Sequence, residues 1–249
     1  MAIPLPNLFV LGAGKCGTTT LHNLLSLHPS IVMSKPKEPS FWCRSFQVIK
    51  NPMEYFSLFS VRNGATAIYR GESSHVYFSN PETAEVIATL FPGAKFIVIL
   101  RDPAQRAHSL YRHMRRGNHE SIPTFHAALM KEDERLAGDH SVLPQYPWNF
   151  FYAASSRYDL QLERYFALFP RERFFIVSLA ELAADPKRTV ACIWDFLGVP
   201  PLDLAVPKLN DSGEAPPIDE ASCAILRHKL DGVMARVDLM IGRSLDWSM

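Results

Sequence analysis

The run Phe9-Val-Leu-Gly12-Ala-Gly14-Lys15-Cys16-Gly17-Thr18-Thr19-Thr20-Leu21 constrains this chain more than any other part of it. An apolar stretch reads as a buried strand, a glycine-rich turn follows, and hydroxyl residues open a helix with Leu21, Leu24 and Leu25 on one face. Such a turn aims backbone N–H groups and the positive end of a helix dipole at one point, which makes an anion cradle. The glycines remove Cβ atoms that would hold a phosphate away from the backbone. The lysine narrows the ligand. In the triphosphatase loop, G-x-x-x-x-G-K-[ST], it follows the last glycine. Here Gly12 and Gly17 have that spacing, but Thr18 stands in the lysine's place and Lys15 lies inside the loop. A dinucleotide reading fares no better: Lys15 interrupts the glycine pattern, and no convincing acidic ribose partner follows at the expected distance.

The remaining strand and helix signals surround that loop with an α/β fold. Candidate strands are Leu8–Leu11, Ser30–Met33, Ala67–Arg70, Lys95–Leu100 and Arg173–Val177, alternating with helical patterns at Thr18–Leu27, Pro81–Phe91, Ala104–Arg116, Ser156–Phe169, Pro186–Leu197 and much of Asp219–Ile241. Asn80 before Pro81 and Asp185 before Pro186 are helix starts, a capping side chain followed by proline. The expectation is a single P-loop-type domain over residues 1–249, its central parallel sheet flanked by helices on both faces. At 249 residues, 47% of them apolar and 20% charged, the chain can bury such a core. Residues 117–150 and the Pro-rich stretch 199–217 are irregular and are expected to act as acceptor or lid segments.

Charge and cysteine usage bound the partners. A formal net charge of +1 argues against nucleic acid or an anionic membrane as partner, so any attraction for an anion is local. The four cysteines lack metal-ligand spacing and read as reduced thiols. No stretch is long enough to span a bilayer, and no signal peptide precedes the first apolar run, so the expected location is cytoplasmic.

A second anion site follows the strongest strand, where the chain reads Arg101-Asp-Pro-Ala-Gln-Arg106-Ala-His-Ser109-Leu-Tyr111. Ligands of open parallel sheets bind beyond the carboxyl ends of the strands. Arg101 stands at that edge and Ser109 about two turns into the next helix, a guanidinium fork and a hydroxyl suited to a second phosphate. Two separated sites imply a ligand phosphorylated at both ends.

These two motifs together resemble the cofactor-binding motifs of sulfotransferases, enzymes that use 3′-phosphoadenosine-5′-phosphosulfate (PAPS) and release adenosine 3′,5′-bisphosphate. Lys37-Glu38-Pro-Ser-Phe41-Trp42 is similar to a segment of the carbohydrate, heparan-sulfate-type branch, and Glu72-Ser-Ser-His75-Val-Tyr77 resembles the Glu-x-[Ser/Thr]-Pro-x-Tyr segment, with His75 where proline is usual. The resemblance spans about residues 8 to 200. It implies that Gly14, Lys15, Cys16, Gly17, Thr18 and Thr19 hold the 5′ end in loop 12–20, and that Arg101 and Ser109 in motif 101–111 hold the 3′-phosphate. Lys15 would stabilise the leaving phosphate. Glu38 would act as general base once burial raised its pKa, with His75 as auxiliary base or acceptor contact. No metal is implied. The implied reaction moves a sulfuryl group to an acceptor hydroxyl, with a carbohydrate favoured. Arg112, His113, Arg115, Arg116 and His119 could gather an anionic acceptor, and Tyr158 or Trp42 could stack on adenine or a sugar. Alternatives are a nucleotide kinase or other P-loop phosphotransferase, and a non-catalytic carbohydrate-binding relative.

Overall fold

Strand β1 (Leu8–Gly12) is buried along its whole length, and β4 (Lys95–Leu100) along all but its first residue. Continuous burial on both pleat faces requires layers above and below, which is the environment of a central parallel strand. In the computed structural model, which describes residues 4–60, 67–204 and 216–248, these two join β2 (Ile31–Met33), β3 (Tyr69–Glu72) and β5 (Phe174–Ser178) in one parallel sheet. The order is β2-β3-β1-β4-β5, with Leu8 opposite Gly71 on one side and Lys95 on the other. Phe96 on β4 contacts the rings of Phe9, Tyr165, Phe169 and Phe174. Its complete burial is worth about 2 kcal/mol.

The connecting helices are α1 (Thr18–Ser26), α2 (Pro52–Ser57), α3 (Val76–Ser79), α4 (Thr83–Leu90), α5 (Pro103–Arg116), α6 (Phe125–Met130), α7 (Glu132–Ala137), α8 (Tyr158–Phe166), α9 (Leu179–Ala184), α10 (Pro186–Leu197), α11 (Glu220–Lys229) and α12 (Val233–Ile241). The start at Asp185 forms as expected, its side chain accepting from the Arg188 amide, whereas α4 begins only at Thr83 and Asn80 Oδ1 accepts from the Glu82 and Thr83 amides in the turn before it. The pattern over Asp219–Ile241 divides at Gly232, whose φ of 68° ends one helical course and opens the next. The third strand lies two residues beyond the expected Ala67–Arg70 and ends on Glu72. An ionisable residue argues against a strand interior in sequence, yet here it is fully buried.

Chain direction fixes where a ligand can sit. From β1 the chain moves outward to β2 and returns through β3, then crosses to the other side of β1 for β4 and β5. The crossovers diverge between β1 and β4, and a crevice opens at their carboxyl ends. The glycine loop leaves β1 there and Arg101 leaves β4 there.

Candidate active site

The glycine loop is built mainly from backbone. Ala13 N donates to Ile99 O (2.8 Å) and Cys16 N to Ala13 O (3.2 Å), which folds the loop over the end of β4. Lys15 takes a left-handed φ of 72°, and Gly17 caps α1 at φ 92°, where side chains are strained. Gly14 has a second reason to be glycine: a Cβ there would lie 2.7 Å from the His75 ring. The Gly17 cap supplies no side chain to the amides of the first turn, so those donors face the crevice with the helix dipole behind them. Thr18 is buried at the helix start and Thr19 is exposed beside it.

Arg106 supports this loop from below, a role that the sequence reading did not assign. It is 2% exposed; its Nε donates to Gly14 O (3.0 Å), and its Nη1 donates to Ser155 Oγ (2.5 Å) and Ser156 Oγ (3.2 Å). The signal was its position, since Arg106 falls in the buried stripe of α5 with Ala107, Leu110 and Met114. An arginine in an apolar stripe needs buried partners. Cys16 is fully buried, within weak hydrogen-bond reach of Gly14 O and the Tyr158 hydroxyl, and burial pushes its thiol pKa up. It is a packing residue of the loop.

On the β4 side, Asp102 caps α5 by accepting from Gln105 N (2.7 Å). Arg101 and Ser109 are both half-buried, one at the strand end and one on the second turn of the helix. The Arg101 charge acts on Cys16 of the loop and on His108 of α5.

Glu38, with φ 63°, pairs with the His75 ring that lies beside Gly14, and its charge acts on Lys15. One carboxylate oxygen accepts from Lys37 Nζ and the other pairs with His75 Nδ1, each at 2.5 Å. His75 Nε2 lies 3.4 Å from Asn149 Oδ1, and the Asn149 amide donates to Gln145 Oε1 (2.6 Å). Segment 117–150 therefore reaches the site through Asn149, a contact without a sequence signal. Burial pushes the Glu38 pKa up, but the charge and hydrogen bond of His75, with those of Lys37, outweigh it and hold the carboxyl well below its usual range. The expectation that burial would raise this group toward neutral pH is thus overturned. Burial first, then the nearby Arg116 charge, lowers Lys15. Lys15, Arg116 and His75 also act on His113, so cations converge on one crevice.

One expected contact is corrected. Tyr158 is fully buried against Phe78 and Trp247 and cannot stack on a ligand. Trp42 is packed edge-on among Phe41, Tyr55 and Phe91, its indole N–H bonded to the Tyr55 hydroxyl. Within the expected segment 199–217, residues 205–215 lie outside the described residues. Among the described residues, no group of three or more His, Cys, Asp or Glu is placed to hold a metal ion, and no helix is long and apolar enough to cross a membrane.

A glycine loop with an inner lysine at the carboxyl edge of a parallel sheet suits group transfer, and comparison with known proteins names the family. The sulfotransferase domain family matches residues 5–210, and the chain belongs to that family. A crystal structure of a sulfotransferase from Alicyclobacillus acidocaldarius superposes with a TM-score of 0.82 at 31% identity, covering 98% of this chain and 99% of that one. The human bifunctional heparan sulfate N-deacetylase/N-sulfotransferase 2 is 29% identical over 210 residues, 79% of this chain and 22% of the relative. Mouse carbohydrate sulfotransferase 15 is 28% identical over 250 residues, 80% of this chain and 44% of the relative. The chain spans about a fifth of the length of the first of these curated relatives and under half of the second. Membership of that family sets aside the kinase reading.

Proposed function

We propose that the protein transfers the sulfuryl group of PAPS to a hydroxyl, with a carbohydrate as acceptor, and that residues 1–249 act as one domain. What supports this reading is that the glycine loop after β1 and the Arg101–Ser109 segment after β4 leave the carboxyl ends of neighbouring strands, where both can reach one ligand. The residues fit a doubly phosphorylated adenosine. Gly14 and Gly17 let the loop pack closely against His75 and Leu179, where a Cβ would collide, and the unfilled cap of α1 offers donors. The donor supplies an activated sulfuryl group on a leaving phosphate.

The chain's own residues do the rest. Backbone from Gly14 to Thr19 orients the 5′ end, and Arg101 and Ser109 grip the 3′-phosphate. The acceptor oxygen forms its bond to sulfur as the bond from sulfur to the bridging oxygen breaks. Lys15 stabilises charge that grows on that bridging oxygen only in the transition state, where stabilisation raises turnover most. Glu38 takes the acceptor proton. Its depressed pKa keeps it ionised at neutral pH, and His75 Nδ1 at 2.5 Å holds the carboxylate that receives the proton in place. The carbohydrate preference is supported by the similarity to heparan sulfate and carbohydrate sulfotransferases and by the cations around the crevice. Calorimetry with adenosine 3′,5′-bisphosphate against ATP–Mg²⁺, followed by transfer of labelled sulfate to a glycan panel, tests the reading. Preference for ATP, or no labelled product from any acceptor, would sink it.

A further inference from the structure

The Glu38-bearing loop is held from behind by hydrogen bonds that all lead to one carboxyl. Glu72 ends β3 and is fully buried. Its hydrogen-bond partners are three hydroxyls, with no cation among them: Tyr55 (2.5 Å) and Tyr77 (3.1 Å) donate to Oε1, and Ser74 (2.6 Å) donates to Oε2. Each hydroxyl accepts in turn from the loop. Tyr55 takes the indole N–H of Trp42 (2.7 Å), Tyr77 takes the Trp42 backbone N–H (3.2 Å), and Ser74 takes the Ser40 N–H (3.0 Å).

The proton inventory gives this network one direction. A hydroxyl owns one proton. Each hydroxyl gives that proton to Glu72 and accepts the loop N–H on a lone pair, and only an ionised carboxyl accepts from all three. Three parallel relays thus end on the segment two to four residues beyond Glu38, and Ser74 adjoins His75, the partner of Glu38. Buried networks of this kind hold one arrangement when every member is satisfied.

We propose that Glu72 is a positioning residue for sulfuryl transfer, its buried carboxylate acting through Ser74, Tyr55 and Tyr77 to fix the loop that presents Glu38. The inference rests on the functional reading above. Glu72 touches neither donor nor acceptor and acts through the loop. The titratable groups facing it are Tyr55 from α2, Tyr77 from α3, Tyr165 from α8 and Glu38 from the loop.

Glu72→Gln tests the proposal because the amide keeps the volume but turns one acceptor into a donor, so at least one relay must break. Ser74→Ala cuts only the relay to Ser40 and serves as the deciding variant should Glu72→Gln not fold. Loss of a hydrogen bond to a buried charged group predicts about a tenfold or greater fall in kcat for each variant. The Kd for adenosine 3′,5′-bisphosphate should stay within about twofold, because the donor is gripped on the other side of the crevice. In ¹H–¹⁵N spectra, the Ser40 amide should move in both variants, and the Trp42 amide and indole resonances in Glu72→Gln. Wild-type kcat in the variant that folds, or unmoved Ser40 and Trp42 signals, overturns the proposal. A fall in bisphosphate affinity matching the fall in kcat also overturns it, since that is general damage. If the wild type transfers no sulfuryl group, the functional reading fails, while the spectra still decide whether Glu72 holds the loop.

Discussion

The two walls of the crevice are built in different ways. The donor wall is backbone: the Gly14–Thr19 loop, the open cap of α1 and the β4 edge, propped by Arg106 on Gly14 O. The facing wall is side chain: Glu38 between Lys37 and His75, His75 against Asn149, and the Glu72 hydroxyl network behind. Backbone donors stay put whatever the pH and tolerate little change in shape. Side-chain networks titrate and can be retuned one residue at a time. A transferase gains from that division, because its donor is constant while acceptors and proton chemistry differ.

The comparison breaks most visibly at Lys15, the one donor-wall side chain expected to act in the transition state. Lys15→Ala should lower kcat by about 10³-fold, as removal of a preorganised charge-stabilising donor does. Titration calorimetry should find bisphosphate affinity far less affected. An equal loss in both would make Lys15 a binding residue and put catalysis elsewhere. Arg101→Ala should do the reverse. Losing a charge-assisted contact predicts about 10- to 100-fold weaker bisphosphate binding, with kcat at saturating donor nearly kept. Normal bisphosphate binding in Arg101→Ala would remove the 3′-phosphate assignment.

The same division explains what could be read from the chain before its fold was known. The donor wall was legible because it depends on neighbours in sequence: glycines at 12, 14 and 17, Lys15 between them, and Arg101 at the end of the most apolar strand. Arg106 was half-legible, as a cation on an apolar helix face whose partners, Ser155 and Ser156, come from 50 residues away. The facing wall was legible only as isolated letters. Its segments at 38–42, 55, 72–77 and 149 meet because β3 inserts beside β1, and no local spacing encodes that insertion. For this reason the sequence singles out Glu38 but inverts its environment. Desolvation alone raises a carboxyl, whereas a histidine 37 residues away reverses the sign.

His75 sharpens the contrast with a smaller effect. Its φ of −61° already suits proline, the residue more usual at this place in the resembling segment, so His75→Pro tests the pair with little demand on the backbone at that position. Without the histidine, the Glu38 carboxyl should rise toward its ordinary value. The acid limb of kcat should then move to higher pH, with bisphosphate affinity unchanged. An acid limb that stays in place would show that Lys37 alone sets Glu38.

The smallest effect separates stability from activity within the facing wall. Burial pushes the Glu72 carboxyl up to about 7, and burial likewise pushes His22, bonded through Nδ1 to Ser73 Oγ at 2.9 Å, down to about 4. The signs follow from linkage. The folded protein holds the Glu72 proton more tightly than the unfolded chain, so its contribution is full below the ordinary carboxyl value and is lost as pH rises to about 7. Moving a carboxyl from 4.5 to about 7 costs the fold at most about 3 kcal/mol at higher pH. His22 runs the other way, its contribution present above pH 6.5 and lost as pH falls toward 4. Thermal melts of Glu72→Gln and wild type between pH 5 and 8 isolate the first of these, because the glutamine cannot ionise. From pH 5 to pH 8 the Tm of wild type should fall relative to that of the variant, as wild type buries a charge that the glutamine cannot carry. Ionised Glu72 would then weaken the fold under the same conditions in which it aligns Glu38. A constant gap in Tm across that range would mean that Glu72 does not titrate there, and that the hydroxyl network keeps its direction at every pH tested.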